Sequence, residues 1–243
     1  MASSTATPEQ LAELKQYTAC DVSDALQKLN VPNSGFIPDL HILPPPTSSS
    51  SSSSTDNVTV APASTFLFAP KTLDAQDPSQ LQQLGYPEAN IPPGSHWVDQ
   101  TQAGTILVLS QPKGQINALI GGIMAIRMKI LGAKGVVIAG RARDMGEIGQ
   151  AGIPIWARAT SIVGTGAATT AHAMQVPLNI DGTIVNPGDI VFSDATEGVV
   201  VIPKEKLDDV LQLIPRLVKA DNAVIQAVKE GMSVKEAFAK FRG

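Results

Sequence analysis

The stretch from Gly121 to Glu147 constrains the fold of this chain most, because its pattern predicts a helix, a turn, a buried strand and a charged loop in succession. The helix should begin at the glycine pair 121–122 and end at Gly132, since glycine commonly follows the last helical residue. Lys129 is predicted to face water. The residues at helical spacing are Ile123, Met124, Ile126, Arg127, Ile130 and Leu131.

A short apolar run follows, from Val136 to Ala139, bounded by Gly135 and Gly140. Such a run is typical of a strand covered on both faces. The strand leads into the charged loop Arg141–Glu147, at the end of the strand where open α/β sheets usually bind ligands. A surface loop with a local ion pair is the alternative interpretation.

Three side chains of this loop favour a ligand site. Asp144 and Glu147 are hard oxygen ligands three residues apart, and they suit one divalent cation, Mg or Mn. Arg143 offers a planar guanidinium that can hold a carboxylate at two points. A cation beside an arginine is the combination that a small oxo-acid requires.

The spacing of these residues resembles the signature of the RraA-like, or HMG/CHA aldolase, family. Here it is Gly122, twenty intervening residues, Arg143-Asp144, two further residues and Glu147. Three further segments are similar to that family and extend the resemblance over most of residues 18–241. They are Ser23-Asp24-Ala25-Leu26, Asn186-Pro187-Gly188-Asp189-Ile190-Val191 and Glu197-Gly198-Val199-Val200-Val201-Ile202-Pro203.

The resemblance implies a layered α/β/β/α fold of the swivelling-domain type, with flanking N- and C-terminal helices and assembly into homotrimers or dimers of trimers. The residues alone predict only a mixed α/β fold. The implied activity is that of a class II pyruvate aldolase. Such an enzyme cleaves 4-hydroxy-2-oxo acids, of the 4-hydroxy-4-methyl-2-oxoglutarate type, to pyruvate and a second oxo-acid, and decarboxylates oxaloacetate through a metal-stabilised enolate.

The resemblance also assigns roles to individual residues. Asp144 binds the cation, Glu147 supports it directly or through water, and Arg143 polarises the 2-oxo group. Backbone amides near Gly122, Ile123 and Met124 hold the pyruvate carboxylate, at a helix N-terminus that is in any case a ready anion site. In family members an acidic residue from a neighbouring subunit's C-terminal helix reaches the site, and Asp221 matches that position best.

The remaining pattern predicts one catalytic domain over residues 9–243, preceded by a flexible tail at 1–8. A Ser/Pro-rich loop insertion at 44–55 interrupts it. Helices should begin at Pro8 and within the segment from Thr18 to Asn30, the second capped by Asp21 or Ser23. A long amphipathic helix should follow Lys204 and be kinked or broken at Pro215.

Composition excludes several classes of protein. The 243 residues carry a net charge of −4 with no long basic run, which argues against a nucleic-acid surface. No apolar run approaches the roughly 20 residues of a membrane helix. Cys20 is the single cysteine, so no intrachain disulfide can form. Without a recognisable secretory signal, the expected location is the cytoplasm.

Several alternatives compete with the metal-dependent aldolase. A non-catalytic protein-interaction regulator of the same family is one, although the presence of Arg143, Asp144 and Glu147 favours the enzyme. A Schiff-base aldolase would use Lys134 or Lys113.

Other candidate motifs are weaker. Gly164-Thr165-Gly166 lacks the third glycine of a dinucleotide loop. His96 and Trp97 could line a pocket, whereas His41 and His172 form no ligand pair with His96.

Overall fold

The computed structural model describes residues 6–44, 57–71 and 78–242. The helices are α1 (Pro8–Leu14), α2 (Ala19–Lys28), α3 (Pro78–Gln83), α4 (Gly122–Ile130), α5 (Met145–Gln150), α6 (Leu207–Lys229) and α7 (Val234–Phe241). The strands are β1 (His41–Leu43), β2 (Val58–Pro70), β3 (Ile106–Ser110), β4 (Gly135–Ala142), β5 (Ile155–Thr160), β6 (Thr169–Met174), β7 (Leu178–Ile180), β8 (Thr183–Val185), β9 (Ile190–Asp194) and β10 (Gly198–Ile202).

Eight of the described strands form one sheet in the order β1-β5-β4-β3-β2-β9-β10, with β6 paired to β2. Strands β2, β3, β4 and β5 run parallel to one another. Strand β9 pairs antiparallel with β2, and β10 pairs antiparallel with β9. Strands β7 and β8 form a separate hairpin. The predicted mixed α/β fold with N- and C-terminal flanking helices is confirmed.

The sheet curves around an apolar interior, and its strands place buried side chains alternately on that interior face and on the outer face. Val108 of β3 and Val137 of β4 face inward and pack with the β7–β8 hairpin. Their neighbours Leu109 and Val136 face outward, against helices. Trp156 on β5 donates from Nε1 to Ser193 Oγ on β9 at 2.7 Å. These strands are not neighbours in the sheet, so this bond spans its concave side.

Helices cover the outward face in two groups. Helices α1, α2 and α6 pack on β2, β9 and β10 through residues that include Leu14, Leu26 and Ile214. Helices α4 and α5 cover β3, β4 and β5 through Ala125, Met128 and Ile148. This second layer carries the charged loop predicted above.

Side-chain caps fix where several helices begin. Helix α1 starts at Pro8 behind Thr7, as predicted from the proline. The cap of α2 is Thr18 rather than the predicted Asp21 or Ser23. Asp21 is instead the third helical residue and accepts a hydrogen bond from the Thr18 backbone N–H at 2.8 Å. A reciprocal pair of this kind satisfies two N–H groups that the helix leaves open.

Two helices differ from what their sequence pattern suggested, and for α6 the predicted break at Pro215 was wrong. On α4 the buried residues are Gly122, Ala125 and Met128, whereas Ile123 and Ile130 are 87% and 70% exposed. Small side chains let this helix lie close to its neighbours, which turns the isoleucines outward. Helix α6 runs unbroken through Pro215 from Leu207 to Lys229, since packing of its apolar face outweighs the loss of one backbone hydrogen bond.

Most of the predicted tail and most of the 44–55 insertion lie outside the described residues. None of the described helices has both the length and the apolar character needed to cross a membrane.

Candidate active site

The site lies where β4 ends. Strand β4 sits between two parallel neighbours, β3 and β5, and helix α4 connects β3 to β4. The loop after β4 therefore meets the N-terminus of α4. Arg143 and Asp144 occupy this junction, as the sequence predicted, and Asp144 immediately precedes α5.

An open pocket of about 410 Å³ adjoins the junction, a volume within the usual range for small-molecule sites. It holds four of the predicted site residues, together with a second group that the sequence did not single out as ligand-binding. The lining residues are His96, Val98, Asp99, Gly121, Ile123, Met124, Arg127, Arg143, Asp144 and Thr165.

Asp144 is held in an unusual conformation. Its backbone is left-handed (φ 61°, ψ 55°), a region that few residues other than glycine adopt and that clusters at functional sites. Its Oδ2 accepts a hydrogen bond from the Gly122 N–H at 3.2 Å. The N–H groups of Ile123 and Met124 come next in α4, and they have no intrahelical acceptors because they lie in the first turn of the helix.

Arg143 places a positive charge beside the same carboxylate. Its Nε lies 3.4 Å from Asp144 Oδ2, and both side chains are 38% exposed. The Nε atom is nonetheless buried and donates no hydrogen bond to any described residue. The ion pair is therefore a charge contact, and the guanidinium retains donor capacity for a ligand.

Acidic side chains pack so closely against the two glycines at the start of α4 that neither position has room for a Cβ atom. A Cβ atom on Gly121 would lie 2.3 Å from Asp144 Oδ2, and one on Gly122 would lie 2.2 Å from Glu147 Cβ. The absence of side chains at Gly121 and Gly122 therefore allows Asp144 and Glu147 to approach the start of α4 closely. Glu147 packs beside Gly122 in the first turn of α5, and neither residue is part of the pocket lining.

The donor set can be compared with what a cation needs. Among the described residues no three His, Cys, Asp or Glu side chains come together as a metal site. Asp144 has one carboxylate oxygen engaged by Gly122, which leaves Oδ1 for a cation. Magnesium keeps several of its waters and binds proteins through one or two carboxylates. The residues therefore fit a largely hydrated cation at Asp144, and do not fit one enclosed by protein ligands.

A second wall of the pocket comes from a distant segment. Asp99, in the 3-10 helix Trp97–Gln100, accepts a hydrogen bond on Oδ1 from Arg127 Nε at 2.7 Å. His96 precedes this short helix and lines the pocket, as the sequence suggested. Arg127 was predicted only as part of the helix. Its position four residues after Ile123 was a usable signal, since residues at that spacing lie on one helix face.

Other candidates lie elsewhere. Asp221 on α6 forms an ion pair with Arg242, outside the pocket lining. Lys113 is exposed and pairs with Asp181 at 2.9 Å. Lys134 is exposed in the turn before β4. Neither lysine lines the pocket, which weakens the Schiff-base alternative.

The other histidines and the rejected glycine loop can also be placed. His172 is buried, with Nε2 at 2.7 Å from the Pro87 carbonyl oxygen, which is a structural position. His41 lies on β1 away from the pocket. Thr165, in the loop rejected as a dinucleotide site, borders the pocket instead.

Comparison with known proteins adds three findings. The model of the RraA-like family, described as Aldolase/RraA, matches residues 19–201. A Halalkalibacterium halodurans protein named "Putative 4-hydroxy-4-methyl-2-oxoglutarate aldolase" is 30% identical over 140 residues, which are 57% of this chain and 65% of that protein. The chain spans less than two thirds of the length of the curated relatives that it matches.

The fold of this chain is similar to those of solved structures. An uncharacterized protein from Pseudomonas syringae pv. tomato matches with a TM-score of 0.72 and 24% identity, over 96% of this chain and 98% of that one. Streptomyces coelicolor RraAS2, described as an unusual member of the RNase ES inhibitor RraA protein family, matches with a TM-score of 0.66 and 19% identity. That match covers 94% of this chain and 99% of RraAS2.

Proposed function

This chain belongs to the RraA-like family, and from that premise we propose that it is a divalent-metal-dependent lyase acting on 4-hydroxy-2-oxo acids. The observation that carries the proposal is the junction of Arg143 and Asp144 with the N-terminus of α4 in one pocket. The relative named as an aldolase supports it. The substrates are of the 4-hydroxy-4-methyl-2-oxoglutarate type, with oxaloacetate as a substrate for decarboxylation.

In this proposal the carboxylates bind the cation and the start of α4 binds the substrate. Asp144 would hold the divalent cation, and Glu147 would support it directly or through water. When bound, such a cation supplies Lewis-acid polarisation of the 2-oxo group. The N–H groups of Ile123 and Met124, at the positive end of the α4 dipole, bind the substrate's 1-carboxylate. Gly122 shapes this end of the helix while donating its own N–H to Asp144.

Arg143 assists the bond-breaking step electrostatically. In aldol cleavage the 4-hydroxyl gives its proton to water, the C3–C4 bond breaks, and the electron pair of that bond moves towards the 2-oxo oxygen. In this proposal the guanidinium of Arg143, beside Asp144 in the pocket, stabilises the charge on that oxygen. A fixed positive group of this kind is a common source of rate enhancement. In decarboxylation the same displacement releases carbon dioxide, and pyruvate forms in both reactions after C3 takes up a proton.

A second copy of the chain completes the site in this proposal. Of the two carboxylates among the described pocket-lining residues, Asp99 pairs with Arg127, which leaves Asp144 for a cation. Asp221 of the same chain does not line the pocket. Ile123 at the pocket edge begins an exposed apolar row with Ile126 and Ile130 on α4. An exposed row of this kind is typical of an interface. A homotrimer or dimer of trimers would cover it and bring Asp221 of one copy towards Asp144 of another.

The test is a panel of oxaloacetate, 4-hydroxy-4-methyl-2-oxoglutarate and related acids, each assayed for pyruvate with Mg²⁺, with Mn²⁺ and after exhaustive metal removal. We expect metal-dependent release of pyruvate that chelation abolishes and added metal restores. Full turnover in excess chelator would contradict the cation at Asp144. No turnover with any acid or metal would favour the non-catalytic, protein-binding alternative.

A further inference from the structure

The pocket has a second polar region besides the Asp144 end. Arg127 and His96 both line it, at positions that the aldolase chemistry above does not use. Arg127 lies five residues beyond Gly122 on the same helix, about 7.5 Å along the axis at 1.5 Å per residue. That separation is on the scale of a short dicarboxylic acid.

Arg127 is oriented by one hydrogen bond but has donors that no described residue uses. Its Nε donates to Asp99 Oδ1 at 2.7 Å, and no described residue accepts a hydrogen bond from its two terminal nitrogens. A guanidinium carries five N–H donors in one plane, so a single carboxylate on Nε fixes that plane and leaves the outer edge open. That edge has the geometry that carboxylates bind with two parallel hydrogen bonds.

His96 adds a donor to the same region. Its Nδ1 accepts a hydrogen bond from the Val98 N–H at 3.3 Å. In the neutral ring the proton must then reside on Nε2, which makes Nε2 a donor. The neighbouring Trp97 packs edge-on against Phe66 and Phe68, with ring centroids 5.4 and 5.2 Å apart. This packing anchors the 3-10 segment that carries His96 and Asp99.

The same pocket is also lined by three apolar side chains, those of Val98, Ile123 and Met124. Such a lining matches methylene carbons between two carboxylates. We infer that Arg127 and His96 bind the distal carboxylate of a dicarboxylic 2-oxo acid, and so select dicarboxylic over monocarboxylic substrates. The inference rests on the proposed function only in that the 2-oxo acid end of the ligand lies at Asp144.

Equilibrium binding to the full chain with saturating Mg²⁺ tests this directly. Calorimetry would compare 2-oxoglutarate with 2-oxopentanoate, two five-carbon acids that differ by the distal carboxylate. We expect the wild-type protein to bind 2-oxoglutarate about 10- to 100-fold more tightly, the usual range for hydrogen bonds to a charged group. Arg127→Met should bring this ratio most of the way to one, chiefly by weakening the binding of 2-oxoglutarate, because only the His96 donor then remains. His96→Phe should reduce it less.

Two further variants control the result. Lys129→Met removes a positive charge from the same helix, but Lys129 bonds the Gly152 carbonyl oxygen and does not line the pocket. It should keep the wild-type ratio. The double variant Asp99→Asn/Arg127→Met removes the carboxylate that Arg127→Met leaves unpaired. It should show the same reduced ratio as Arg127→Met, because the loss comes from the missing donors rather than from repulsion by Asp99.

The outcomes separate this inference from the proposed function. Exchange of the pyruvate methyl protons with deuterium oxide needs no distal carboxylate, so it should persist in Arg127→Met. Failure of the wild-type protein to catalyse that exchange would count against the lyase, whereas the binding ratio would still decide the inference. Equal affinity of the wild-type protein for both acids, binding of neither acid, or an unchanged ratio in Arg127→Met would overturn it.

Discussion

The end of β4 and the turn before β9 each place an aspartate among N–H donors, yet the two sites differ in exposure. Asp189 is completely buried and accepts from the Asn186 N–H at 2.7 Å, the Asn186 side-chain amide at 3.1 Å and the Lys204 N–H at 3.0 Å. Asp144 is 38% exposed and accepts one N–H. The family-like block around Asp189 is therefore structural, and the carboxylate with unused capacity is the one at the pocket.

The largest effect should come from removing the exposed carboxylate. Asp144→Asn removes the charge that holds the cation while keeping the side-chain size, so turnover should fall about 10²-fold or more. The melting temperature should change little, because the residue is partly exposed. Steady-state kinetics with a metal titration, beside calorimetric melting, would measure both. Wild-type rates in this variant would place the chemistry elsewhere.

Arg143→Lys sharpens the same result. Lysine keeps the positive charge but loses the planar donor set, and we expect about a 10²-fold loss in kcat/KM. Arg141→Lys is a matched control two residues earlier in the chain. Arg141 donates to the Thr160 carbonyl oxygen and does not line the pocket. Equal losses in the two variants would point to a general effect of replacing an arginine in this loop rather than a specific role for Arg143.

Asp189→Ala should give the opposite pattern, a loss of stability with the chemistry intact. It leaves three donors without their acceptor, each costing about 1 kcal/mol or more, so the free energy of unfolding should fall by about 3 kcal/mol. Urea unfolding would measure the loss. An unfolding free energy within about 0.5 kcal/mol of the wild type would show that the turn does not depend on this carboxylate.

The pH dependence of stability follows from the same burial. Burial raises the pKa of Asp189 above its ordinary value of 3.8, against the lowering effect of its N–H donors. A folded-state pKa above the unfolded one means a stabilising contribution that is full below pH 3.8 and lost as pH rises through the folded pKa. The stability of the wild type relative to Asp189→Asn should therefore decline as pH rises from below 3.8. A constant or growing difference in urea unfolding would contradict the raised pKa.

Asp221 should show the smallest effect on stability. Its ion pair with Arg242 is partly exposed, so Asp221→Ala should cost less than about 1 kcal/mol. Activity should nevertheless fall, and mixing this variant with Asp144→Asn should restore part of it. Mixed oligomers as inactive as either parent would contradict a site shared between copies.

Local patterns predicted the elements well. The order β3, α4, β4 and the charged residues after β4 follow from apolar runs and glycines adjacent in sequence, and the structure places them as expected. The buried face of α4 did not follow, because Gly122, Ala125 and Met128 pack inward and the isoleucines do not. Apolar spacing reveals a helix, but close packing by small residues decides which side is covered.

The sequence by itself determined the pairing of Arg143 with Asp144 at a strand end, because adjacent residues need no tertiary contact to come together. Only the tertiary structure decided three other features. It joined Asp99 to Arg127, 28 residues apart, through the packing of a 3-10 segment on α4. It gave the first N–H of α4 to Asp144, and it curved the sheet so that Trp156 reaches Ser193. Each depends on the relative placement of distant elements, which packing of the whole core sets and no local pattern encodes.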